Sequence, residues 1–219
     1  MKKNGVGFGL YLITDRKLAG SRGLLAACEA ALRAAADASS AGAIAIQLRE
    51  KDLEGRALFE FACEMRRLCN RYGTQFLIND RIDVAMATGA DGVHLAANSV
   101  PAIEARKLLG ESRLIGVSTH APNEVRAAAD GGADFVVFGP VFAPLSKGSY
   151  GQPCGREGLV AACRAASLPV FALGGITPDR VAELAGSGAA GVAVIGSVIG
   201  AENPELAAKS LLDALSDWE

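Results

Sequence analysis

Short, largely apolar runs alternate with longer segments in which apolar residues recur at helical spacing. The runs fall at 8–14, 43–48, 75–78, 92–95, 113–117, 134–138, 169–173 and 191–195. Each is continuous rather than alternating, as expected of strands buried on both faces of a parallel sheet. The intervening segments predict helices at 22–40, 53–72, 101–109, 122–130 and 204–215. Shorter helices are expected up to 88, after the loop 139–155, and from Thr177 or Pro178. In the second helix Leu58, Phe61, Ala62, Met65 and Leu68 share a face, and Gly73 stands where a C-cap is needed.

About eight strand–helix units emerge, with no break for a second domain. Four helix-to-strand junctions are alike: Ala41-Gly42-Ala43, Gly89-Ala90-Asp91-Gly92, Gly132-Ala133-Asp134 and Gly188-Ala189-Ala190-Gly191. The expectation is an α/β chain forming one (β/α)8 TIM barrel over residues 1–219, near the minimum size for that fold. A doubly wound open sheet is the alternative. It usually carries a glycine fingerprint after the first strand, where this chain has Thr14-Asp15-Arg16.

Composition narrows the function classes. Net charge is −2 and aromatics make up 5%, so neither a cationic face nor a stacking surface for nucleic acid is expected. The five cysteines have no Cys-x-x-Cys spacing and no nearby histidines, which disfavours structural zinc and a disulfide framework. Cys28, Cys63 and Cys69 lie in helical patterns and are expected to be buried thiols of a reducing compartment. No signal peptide and no membrane-length apolar run is read, so a cytoplasmic protein is expected. The sequence leaves room for a homo-oligomer.

In such a barrel the chemistry collects at the C-terminal ends of the strands. Those positions hold Thr14-Asp15, Gln47, Arg49 and Lys51, Asn79-Asp80, His94, Ser118 and His120, Ser146 and Lys147 in the loop 139–155, Gly174-Gly175, and Gly196-Ser197. Gln47, Arg49 and Lys51 alternate and would share a face; a guanidinium and an ammonium there suit a phosphate-rich ligand. The plain alternative is a solvated charge run. The glycines after strands seven and eight match the usual phosphate site of barrels, unless they only serve tight turns. Two cationic clusters would suit two anionic groups. Asp80 suits Mg²⁺ or, equally, a helix N-cap. Of the two histidines, His94 reads as a satisfied packing residue and His120 as the better general base.

Together these pieces resemble the thiamine phosphate synthase family. The similar stretches are Tyr11-Leu12-Ile13-Thr14-Asp15, Gln47-Leu48-Arg49-Glu50-Lys51, Asn79-Asp80-Arg81 with Asp83, Gly92-Val93-His94-Leu95, Ile115-Gly116-Val117-Ser118 with His120, Gly139-Pro140-Val141-Phe142, Gly174-Gly175-Ile176 and Gly191-Val192-Ala193-Val194-Ile195. The resemblance implies a barrel that joins a pyrimidine methyl diphosphate to a thiazole phosphate (or its carboxylate), releasing pyrophosphate. Gln47, Arg49, Lys51, Asn79 and Lys147 would grip the diphosphate, Asp80 would bind Mg²⁺, and Ser118 would contact the pyrimidine. Gly175 and Ile195-Gly196, with Gly174, Ser146 and Ser197 beside them, would hold the thiazole phosphate.

Three departures stand out. Ser99 replaces the family's second Mg²⁺ carboxylate. Pro144-Leu145-Ser146-Lys147 lacks one phosphate-binding hydroxyl. Gly196 replaces a serine, with Ser197 adjacent. The departures are similar to the thiazole tautomerase branch, which needs no metal and in which His120 would be the base. A non-catalytic binder of thiazole phosphate would also tolerate them. The intact diphosphate set puts the synthase first.

Overall fold

The computed structural model describes residues 5–37, 43–143, 151–165 and 167–218. Eight strands pair in chain order, all parallel: β1 (Leu10–Ile13), β2 (Ile44–Leu48), β3 (Gln75–Asn79), β4 (Gly92–Leu95), β5 (Leu114–Thr119), β6 (Phe135–Phe138), β7 (Val170–Leu173) and β8 (Gly191–Val194). Pairing of β1 with β8 closes the barrel. The helices around it are α1 (Leu24–Asp37), α2 (Gly55–Tyr72), α3 (Ile82–Thr88), α4 (Ala102–Leu109), α5 (Pro122–Asp130), α6 (Gly155–Ala165), α7 (Pro178–Glu183), α8 (Gly196–Ile199) and α9 (Pro204–Ser216). The expected (β/α)8 barrel is therefore present and the open sheet is not.

Local signals account for the boundaries. Gly23, at φ 80°, stops a short 3-10 turn and delays α1 to Leu24. Gly73 ends α2 in the left-handed region at φ 62°, where glycine avoids the Cβ penalty. Pro122 and Pro178 sit in the first turns of α5 and α7, where the missing N–H is harmless. The single turn α8 is too short to show a period and has no expectation of its own. Gly42 of the first junction lies outside the described residues, as do Ser146 and Lys147.

Alternation along each strand divides the side chains into two cores. Outward residues such as Leu12, Ile46, Phe76, Val93 and Ile115 pack against the helices. Inward residues form a smaller core of Phe8, Tyr11, Phe135 and Phe171 with aliphatic neighbours. Their rings stack or meet edge-on at 4.9–5.6 Å for Phe8–Phe171, Phe8–Tyr11, Tyr11–Phe135 and Phe135–Phe171. Such pairs add to area burial through their quadrupoles.

One expectation is corrected. Cys28 and Cys69 are buried, but Cys63 is only half-buried, because it lies beside rather than on the inward stripe of α2. The Trp218 indole N–H donates to the Val181 carbonyl of α7 at 3.0 Å, which ties the end of α9 to α7.

Gly92 starts β4 where a Cβ would meet the Leu114 carbonyl oxygen at 2.2 Å. Backbone cannot yield as a side chain can. Gly92→Ala is expected to lower stability by about 1–3 kcal/mol in urea unfolding, and an unchanged midpoint would contradict this strand contact.

Candidate active site

The inward register sets the site. On β2 to β5 the last inward residues are Gln47, Asn79, His94 and Ser118, all polar. Asn79 pairs with His94, and His94 with Gly116. On β6 to β8 the corresponding positions are apolar: Val137, Leu173 and Ala193, with Ile195 just beyond. The mouth is therefore polar on one half, and apolar with glycine-rich turns on the other.

Beyond β2 the chain separates its charges. Glu50 is 5% exposed. It accepts from the Thr14 hydroxyl at 2.7 Å, twice from the Arg16 amide at 3.1 Å, and from the Arg16 guanidinium at 3.2 Å. Thr14 in turn accepts from the Arg49 amide at 2.9 Å. Arg16 also forks onto Asp52 at 2.6 and 3.0 Å. The solvated-run reading thus fails for Glu50. Arg49 and Lys51 are left without an anionic partner among the described residues. A buried carboxylate pins the turn, and two unneutralised cations flank it.

A directional chain follows from Gln47. Its Nε2 donates to Asn79 Oδ1 at 3.0 Å, and Asn79 Nδ2 donates to Asp80 Oδ2 at 2.8 Å. Gln47 Oε1 is buried with no partner among the described residues. A buried acceptor left unpaired costs free energy, so this atom suits an N–H donor on a ligand.

Asp80 is not a cap. The N-cap of α3 is Arg81, with no side-chain hydrogen bond. The Asp80 carboxylate turns instead to the end of β4. Oδ1 accepts from the Ala96 amide at 3.1 Å and closely from the Ser99 hydroxyl. The backbone of Asp80 is left-handed, with φ 59°, the one such non-glycine among the described residues. Strain of this kind costs on the order of 1–3 kcal/mol and gathers at functional sites; here it aims the carboxylate across the mouth.

The donor set fits magnesium as a one-carboxylate site. Among the described residues Asp80 Oδ2 accepts only the Asn79 amide and has a lone pair to spare, and Ser99 adds a neutral oxygen. Among the described residues no three His, Cys, Asp or Glu side chains gather in a way that could hold a metal. Phosphate oxygens and water would have to complete the shell, which is common for Mg²⁺.

His94 is 1% exposed. Nδ1 lies 3.3 Å from the Tyr11 hydroxyl, and Nε2 lies 3.0 Å from Ser118 Oγ. Burial pushes the imidazole down to about 3, with the Arg49 charge adding and Asp80 opposing. His94 is thus a satisfied core residue, as expected, and also a neighbour of Ser118. His120 stands apart on the rim, exposed, with Nδ1 2.5 Å from the Gly139 carbonyl and its amide on Glu124 at 2.6 Å.

The glycine side is partly architectural. A Cβ on Gly175, at φ 62°, would lie 2.3 Å from the Ala143 oxygen. Arg180, not expected from the sequence, donates to the Gly175 carbonyl at 2.5 Å and lies over the Phe142 ring at 5.0 Å. The Ser197 hydroxyl donates to the Ile176 carbonyl at 2.6 Å and joins the two loops. The amides of Gly196 and Ser197 find no backbone acceptor among the described residues, so they remain free for an anion.

The chain is similar to known proteins over nearly its whole length. The family model described as thiamine monophosphate synthase matches residues 10–198. A protein of Geobacter sulfurreducens with a provisional thiamine-phosphate synthase name is 50% identical over 96% of this chain and 95% of its own length. The thiamine-phosphate synthase of Moorella thermoacetica is 42% identical over 94% of this chain and 95% of its own. The solved thiamine phosphate pyrophosphorylase of Pyrococcus furiosus superposes with a TM-score of 0.84, at 32% identity, covering 97% of this chain and 98% of that one.

Two outcomes are expected. The unfolded chain protonates histidine near 6.5 whereas folded His94 resists to about 3. Unfolding is therefore favoured as pH falls through that window, and stability is fully present above it. The slope is at most about 1.4 kcal/mol per pH unit. Urea midpoints for His94→Gln should lose this component between pH 6.5 and 4; an identical slope would count against the buried imidazole. For the metal, Ser99→Asp should tighten Mg²⁺ binding about tenfold in calorimetry through the added carboxylate charge, and Asp80→Asn should abolish it. Equal affinities in all three proteins would remove the metal from this corner.

Proposed function

Because this chain belongs to the thiamine monophosphate synthase family, a transferase family of thiamine biosynthesis, we propose that its barrel mouth joins a pyrimidinylmethyl diphosphate to a thiazole phosphate. The products are thiamine phosphate and pyrophosphate. The observation that carries the reading is the charge separation after β2: Arg49 and Lys51, without an anionic partner among the described residues, beside a buried, fully engaged Glu50. A tautomerase of thiazole phosphate has no use for that pair, and the relatives do not favour that branch. A non-catalytic binder does not explain it either.

In this reading Arg49 and Lys51, with Lys147 from outside the described residues, hold the diphosphate. Asn79 is held by Gln47 and holds Asp80 in turn. The unpartnered Gln47 Oε1 is an acceptor and suits the amino group of the pyrimidine rather than a phosphate oxygen, a refinement of the role expected from sequence. Ser118 faces the same ring. The glycine side, Gly174-Gly175 with Ile195, Gly196 and Ser197, takes the thiazole phosphate, assisted by Ser146. His120, on the rim, is not needed as a base, because no proton has to leave the attacking nitrogen.

The pyrimidine methylene–oxygen bond breaks, its electron pair leaves with pyrophosphate, and the thiazole nitrogen lone pair forms the new bond. Mg²⁺ held by Asp80 and Ser99 would supply charge neutralisation for the departing group. Fixed cations add electrostatic stabilisation without reorganising, and the divided mouth supplies proximity. No helix among the described residues is long and apolar enough to cross a membrane, and the proposed place of work is the cytoplasm, with residues 1–219 acting as one unit.

Incubation with both substrates and Mg²⁺ should yield thiamine phosphate and pyrophosphate in equal amounts. Arg49→Ala should lower kcat/KM at least about a hundredfold, since a charge-assisted contact made to the leaving group is lost. Metal-independent isomerisation of the thiazole substrate without coupling would overturn the proposal.

A further inference from the structure

The interior of the barrel contains two polar side chains that none of the roles above requires. Tyr11 is fully buried and His94 nearly so. They sit inside an otherwise aromatic and aliphatic core, with ring centroids 5.6 Å apart and Phe135 packed on both. Burying a phenol and an imidazole there costs free energy unless each is hydrogen-bonded. The room they occupy is also specifically kept: a Cβ on Gly116 would lie 2.6 Å from His94 Nδ1 and 2.4 Å from the Phe135 ring.

The bonding pattern fixes the direction of every proton. Burial pushes the Tyr11 phenol well up, so it stays protonated. Its one hydrogen-bond partner among the described residues is His94 Nδ1 at 3.3 Å. A buried hydroxyl proton must therefore be donated to Nδ1, which makes Nδ1 the acceptor nitrogen. A neutral imidazole has one donor and one acceptor, so Nε2 carries the hydrogen. It faces Ser118 Oγ at 3.0 Å and donates to it. Ser118 is only half-buried and stands at the mouth, and its own proton is then the one left to give.

We propose that Tyr11 and His94 are positioning residues that fix Ser118 as a hydrogen-bond donor toward the ligand, so that this side of the mouth selects an acceptor such as a heteroaromatic ring nitrogen. This deepens the functional reading above and rests on it for the identity of the ligand. The opposite tautomer would make Nε2 an acceptor, turn the Ser118 proton inward, and present only lone pairs to the ligand. The relay therefore sets polarity as well as position. Gln47 Oε1 offers the complementary acceptor on β2, and together the two would read a donor and an acceptor on one flat ring.

The chain has two histidines, so an imidazole nitrogen–carbon correlation spectrum of 15N-histidine protein reads both. For the intact chain without substrate, His94 should show a bare Nδ1 and a protonated Nε2. Tyr11→Phe should lower kcat/KM about three- to tenfold, the range for one neutral hydrogen bond. The same change in a Ser118→Ala background should cost less than about twofold, because the effect passes through Ser118. A protonated Nδ1 in the wild-type spectrum would overturn the relay, and so would an equal loss from Tyr11→Phe with and without Ser118. The spectrum needs neither a variant nor a substrate. Lack of coupling activity in the wild-type chain would instead count against the functional reading alone.

Discussion

Closing eight parallel strands into a ring leaves an interior that must be filled by side chains, and here aromatic rings fill its floor. Phe8, Tyr11, Phe135 and Phe171 pack with ring centroids 4.9–6.3 Å apart. Polar inward groups can then persist only where they are bonded to each other or open to the mouth. Gln47, Asn79, His94 and Ser118 meet that condition on four neighbouring strands. The position of the chemistry is thus a consequence of how the barrel is plugged.

The same packing explains why the mouth has two unlike halves. On β2 to β5 a directional hydrogen-bond chain runs from Gln47 through Asn79 to Asp80. A second runs from Tyr11 through His94 to Ser118. On β6 to β8 the inward residues are apolar, and the loops beyond them approach so closely that Gly175 admits no Cβ. One half offers charge and oriented dipoles; the other offers backbone and a greasy wall. A diphosphate and a monophosphate on a heteroaromatic ring are a natural pair for such a mouth.

Much of this was legible in the chain. Strands buried on both faces read as unbroken apolar runs, so all eight could be placed. The strand-end rule then pointed to Gln47, Arg49, Asn79, Asp80 and Ser118. Other features had no local signal. Glu50 looks like surface until Arg16, 34 positions earlier, is seen to close over it at 3.2 Å. Asp80 has the composition of a cap, and only its left-handed backbone reveals that it faces Ser99 instead. Arg180 lies past a helix start and reaches Gly175 only through the fold of the β7–α7 loop. The substitution of serine at 99 was readable as a lost charge, but not as a hydrogen bond donated to the remaining carboxylate.

The proposed function requires the two halves of the mouth to hold two different anions at once. A crystal structure grown with pyrophosphate, Mg²⁺ and thiazole phosphate tests it most directly. Pyrophosphate is expected against Arg49, Lys51 and Asp80, and the thiazole phosphate on the amides of Gly196 and Ser197, in the same molecule. Both anions competing for a single position, or the thiazole phosphate lying against Arg49, would contradict it.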